Sequence, residues 1–172
     1  MSRFYIPGLV FVLLIVEGTL FQLMTPTHTD SVLVPRFLIV MVVLIGLHFG
    51  RQSSLFYGLA FGFCYDIVYT QLLGVYAFGL AFIGYFFIFF SKRIQDSLLI
   101  QLMLVLSAIL FFEYYQYGLY LLIGLTDLPA SSFAIERLLP SLILNSAFAI
   151  LIYYPARKLF EHVKKQANLR AR

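Results

Sequence analysis

The chain has 172 residues, of which 62% are hydrophobic and 12% charged, with a mean hydropathy of +0.93 and a formal charge of +4. A surface that faces water carries roughly 25% charged residues, so this composition excludes a soluble globular enzyme and makes lipid the solvent. The positive charge invites a nucleic-acid reading, but the cations gather on one side of the predicted spans, which fits a membrane surface and no nucleic acid.

Inside lipid every backbone N–H and C=O must find a partner within the protein, so spans are helices or closed barrels. The apolar runs are long and unbroken, which decides for helices. The sequence predicts a single all-α transmembrane domain over 1–172, a compact bundle of about six helices at 4–24, 35–50, 54–72, 75–91, 98–124 and 138–156, with a basic tail at 157–172.

The first apolar run reaches Met24, carries Glu17 and lacks an A-x-A cleavage pattern, so it reads as a retained helix rather than a signal peptide. The second helix is short and has Pro35 at its first turn. The third carries Gly58, Gly62 and Asp66, spaced four and four, which puts all three on one face. That face reads either as plain helix packing or as a partner-binding face, continued by Gly74, Tyr76 and Ala77 where the fourth helix opens. Cys64 is the lone cysteine, so no intrachain disulfide forms and it reads as a small packing residue. The fifth helix holds the tyrosine-rich stretch Phe111–Tyr120, a candidate interfacial anchor or docking groove.

Lys and Arg in short loops mark the cytoplasmic side. With the N-terminus inside, that face collects Arg3, Arg51, Lys92, Arg93, Arg157, Lys158, Lys164, Lys165, Arg170 and Arg172, against Arg36 and Arg137 outside. Ten against two predicts both termini in the cytoplasm, in agreement with an even number of spans. The longer loops, 25–34 and 125–137, then face outward.

An ionisable group within a span is costly unless paired, protonated or hydrated. Glu17, Asp66 and Glu113 fall two or three residues past the midpoints of the first, third and fifth helices, hence at similar depth. Arg36 and Arg137 stand at the outer ends of the second and sixth helices, within reach. Two readings fit: an outward polar cavity built from these five residues, or three separate acids serving helix packing. A catalytic acid pair has no Ser/His, HExxH or metal-ligand spacing to accompany it, and His28, His48 and His162 are scattered. No metal or cofactor is expected. In the tail, Leu159, Val163 and Ala167 recur every four residues beneath Arg157, Lys158, Lys164 and Lys165, so a continuing helix would lay an apolar stripe on anionic lipid.

The order Pro35, Gly50-Arg51, the glycine track to Asp66, then Leu73-Gly74 with Ala77 resembles the bacterial rod shape-determining protein MreD family, as do the length, the hydropathy and the basic tail. The resemblance implies a non-enzymatic component of the cell-elongation machinery in the bacterial inner membrane. It implies association with the single-span protein MreC, linking MreB filaments to peptidoglycan synthases. Family members also look like the substrate-binding subunits of energy-coupling-factor vitamin transporters. A transporter subunit of that kind is the alternative function, and it would need an ATPase module.

Overall fold

The computed structural model describes residues 4–24, 32–90 and 97–170. The predicted outer-loop residues Pro26, His28 and Asp30, the inner cations Lys92 and Arg93, and the terminal Arg3 and Arg172 lie outside them. The described residues are almost wholly helical: α1 (Tyr5–Met24), α2 (Phe37–Phe49), α3 (Arg51–Tyr69), α4 (Val75–Phe90), α5 (Leu98–Leu122) and α6 (Leu139–Arg170). A short helical turn, Ala130–Ser132, and a π-helical segment, Phe133–Leu138, run directly into α6.

α2 is the axis of the bundle and touches each of the other five helices. Its residues Phe37–Leu47 are all buried, as expected for a helix that is apolar around its whole circumference. Five of its seven residues from Ile39 to Ile45 are β-branched and so mediocre helix formers, and the packing on every side overrides that weak preference. Gly50 closes it: at φ +89 it sends its N–H to Gly46 O (2.8 Å) and hands the chain to α3 in one residue. Pro35 lies before the helix rather than in its first turn, because Val32–Arg36 is not helical. Non-helical backbone at such depth needs partners within the protein, and α6 supplies them. Ser141 Oγ accepts from Val34 N (3.0 Å), and Asn145 accepts from Arg36 N (2.7 Å) while donating to Val34 O (2.9 Å).

α3 and α4 form the closest pair, and the glycine track is the reason. A Cβ on Gly58 would stand 2.6 Å from Leu80 O, and one on Gly62 would stand 2.6 Å from Tyr76 O. The two backbones are in contact, and neither position tolerates even a methyl group. Gly58 and Gly62 therefore form a packing face within the chain. Of the two readings of that face, helix packing is the one these contacts support, with α4 seated on Gly58 and Gly62.

The end of the chain differs from its prediction. The helix expected to stop at residue 156 continues through Pro155 to Arg170. An internal proline costs about 3 kcal/mol. Here burial of Ala156 and Phe160, with the Phe160 ring 5.4 Å from Phe49 and 5.0 Å from His48, offsets it. Val163, one residue of the predicted stripe, also packs against the core. Likewise, the loop expected over 125–137 is helical from Ala130. It is pinned by Phe133, which stacks on Tyr117 at 4.2 Å, and by the Tyr117 hydroxyl, which donates to Leu128 O (2.7 Å).

α5 and the continuous segment Ala130–Gln166 are long and apolar enough to cross a membrane, while 33% and 22% of their most apolar stretches are buried. A soluble protein would hide such helices. Here Ile143 and Leu151 on α6 are 72% and 75% exposed, a surface suited to lipid.

Candidate functional site

The three buried acids divide into two kinds. Asp66, near the end of α3, faces the start of α4. Its carboxylate accepts the backbone N–H groups of Gly74 (2.9 Å), Tyr76 (3.0 Å) and Ala77 (2.9 Å), with the Thr70 hydroxyl at 3.3 Å. The first N–H groups of a helix lack partners within it and carry the positive end of its dipole, so Asp66 caps α4 from a neighbouring helix. Gly74, at φ +100, permits the turn that aims those amides at it. Glu17 does the same for α2: its Oε2 accepts from Leu38 N at 2.8 Å, and its Oε1 has no partner among the described residues.

Glu113 is different. Arg36 Nε donates to its Oε1 at 2.6 Å and Arg137 Nε to its Oε2 at 3.2 Å. Arg36 Nη1 donates to the Tyr76 hydroxyl, and Nη2 to Gln116 Oε1, which Arg137 Nη2 also reaches at 3.4 Å. The Arg36 guanidinium also lies over the Phe112 ring (5.0 Å) and the Tyr76 ring (5.3 Å). Arg36 and Glu113 have 1% and 0% of their side chains exposed; Arg137 has 26%. Arg137 is presented by the π-helical segment, whose wide turn carries it toward α5 while Glu136 O accepts the Val32 N–H (2.8 Å).

Above this cluster lies a cavity of about 400 Å³ bounded by Arg36, Arg137, Tyr65, Tyr69, Tyr76, Gln116 and Tyr120, together with Gly18 and Gln22 of α1 and Gln71 and Leu72 of the α3–α4 turn. Of the five residues expected to build a polar cavity, the structure brings Arg36, Arg137 and Glu113 together at its base. Glu17 and Asp66 are turned to helix caps, and Asp66 makes no ion pair with either arginine. Sequence reading missed Gln116, Asn145 and Ser141. Polar residues inside apolar helices were the available signal. It also missed the cavity-lining tyrosines of α3, whose periodicity matches ordinary core.

Of the tail cations, Arg157, Lys158, Lys164 and Lys165 are exposed on α6. Arg157 pairs with Glu161 at 2.9 Å, and Lys164 lies over the Phe49 ring at 5.4 Å.

Apolar helices left open to lipid, two buried acids spent on helix caps, and an arginine-based polar cavity define an all-helical membrane protein. The sequence profile of the family described as "rod shape-determining protein MreD" matches residues 2–163. A protein of Bacillus subtilis (strain 168) named "Rod shape-determining protein MreD" is 31% identical over 168 residues, covering 96% of this chain and 98% of its own length. The chain belongs to the MreD family, which ties it to the determination of cell shape. No solved structure matches it.

Proposed function

We propose that this chain is a non-enzymatic scaffold of the bacterial cell-elongation machinery, crossing the inner membrane six times with both termini in the cytoplasm. In this reading it binds an MreC-like single-span partner and helps couple MreB filaments to peptidoglycan synthases, while its basic tail meets anionic lipid. The observation that carries the reading is the family match along nearly the whole chain. The fold is consistent with it: the buried charges fix one helix arrangement, as a platform for partners requires. With the glycine face occupied by α4, the partner's span is assigned to the lipid-exposed apolar surface. A tagged chain should co-purify with the single-span protein, and its depletion should turn rods into spheres. Normal rods after depletion would end the proposal.

The cavity of about 400 Å³ favours a second reading, a small-molecule-binding subunit of a transporter, built like the energy-coupling-factor subunits. Co-purification of an ATPase module in place of the single-span protein would favour it.

A further inference from the structure

We infer that the cavity at the arginine cluster is a binding site for a phosphate-bearing anion, independent of the partner proposed above. Its size, about 400 Å³, falls among pockets that hold small ligands, about 300–1,000 Å³. Its chemistry is one-sided. Two guanidinium groups bound it, and no carboxylate among the described residues does. Among the described residues Glu113 is the one carboxylate ion-paired with either arginine, and both share it.

The hydrogen bonds leave several donors toward the space. Gln116 Oε1 accepts from both arginines, and the Gln116 amide donates to the Tyr120 hydroxyl oxygen (3.0 Å), which leaves the Tyr120 O–H free to donate. The Nη1 donors of Arg137 take no part in these bonds, and Arg137 is the partly exposed member. The Tyr69 hydroxyl is a further donor on the wall. Donors set on more than one side, with planar guanidinium forks among them, suit the several oxygens of a phosphate. A cation would meet repulsion, and a neutral molecule would leave the arginine charge uncompensated. The cavity is larger than the anion alone, and its remaining walls, rich in tyrosine and glutamine, suit a polar body such as a glycerol or sugar unit.

The phosphate can arrive on a lipid headgroup or on a soluble ester, and one experiment separates the two. Full-length protein, purified in detergent and stripped of lipid, is titrated with short-chain phosphatidylglycerol, short-chain phosphatidylcholine, glycerol phosphate and inorganic phosphate. Binding of phosphatidylglycerol above phosphatidylcholine supports a lipid source; binding of glycerol phosphate at equal or greater strength supports a soluble one. Arg137→Gln should weaken the preferred probe about tenfold or more, as loss of charge-assisted bonds implies, and Arg137→Lys should weaken it less. Because Arg137→Gln also disturbs Glu113, Leu125→Trp serves as a second variant. It fills the mouth of the cavity without touching the ion cluster, and should abolish binding at an unchanged melting temperature. Equal binding of all four probes, no binding of any, or wild-type affinity in both Arg137→Gln and Leu125→Trp would overturn the assignment.

Discussion

Arg36 and Glu113 stand 77 positions apart in the chain, yet Arg36 Nε donates to Glu113 Oε1 across 2.6 Å, with 1% and 0% of the two side chains exposed. The pair joins the entry of α2 to the middle of α5, and Arg137 adds the start of α6 to the same carboxylate. Removing one member of a buried pair strands the other, at a cost of about 3–5 kcal/mol. Glu113→Gln should therefore lower the melting temperature of the purified protein and its abundance in membranes. The double variant Arg36→Met/Glu113→Leu should recover part of that loss, because the two effects are coupled. A Glu113→Gln protein that melts with the wild type would show that the pair does not hold these helices.

Asp66 uses both oxygens on three backbone N–H groups. Asparagine offers one acceptor oxygen and turns an N–H₂ toward donors. Asp66→Asn should thus destabilise by about 1–3 kcal/mol despite its matched size, and Asp66→Ala should be no milder. Thermal unfolding alongside cell shape is the measurement. An Asp66→Asn protein that is fully stable but fails to support rods would assign Asp66 a role other than capping.

Glycine substitutions should separate by what a Cβ meets. Gly62→Ala and Gly58→Ala drive a methyl into the α4 backbone and should cost about 1–3 kcal/mol, as overpacking does. Gly118→Ala, with nothing within 4 Å, should be neutral or stabilising. Equal stability of all three variants in a detergent melt would remove the close α3–α4 contact.

Both termini are expected in the cytoplasm. In a Cys64→Ser background, single cysteines at Ser31 and Ser132 should react with an impermeant maleimide in intact cells, and one at Ser97 should not. Labelling at position 97 alone would invert the topology.

Exposed charges are screened by salt within about 10 Å at 0.1 M. The full-length protein with Lys164→Ala and Lys165→Ala should hold fewer anionic lipids at low salt, and the difference from wild type should vanish at high salt. Native mass spectrometry after graded salt washes reads this directly. No difference at any salt would leave the tail's cations without a lipid role.

Local pattern alone determined that this chain is helical and belongs in a membrane. It also gave the glycine spacing and the inventory of ionisable residues within apolar runs, since apolar run length and the 3.6-residue period are properties of a short stretch. The division of labour among Glu17, Asp66 and Glu113 was not legible, because the three acids look alike in sequence. Their partners are backbone N–H groups of Leu38, Gly74, Tyr76 and Ala77 for two of them and guanidinium groups for the third, and backbone donors leave no mark in composition. The passage of α6 through Pro155 was hidden for a related reason: contacts of Phe160 with α2, more than 100 residues away, outweigh a local breaker. An outward cavity was one of two readings of the sequence, but its actual lining belongs to tertiary structure. It exists where the π-helical turn brings Arg137 over α5 and the non-helical Val32–Arg36 delivers Arg36 beneath it, and only the packed bundle supplies the hydrogen bonds that let such backbone lie so deep.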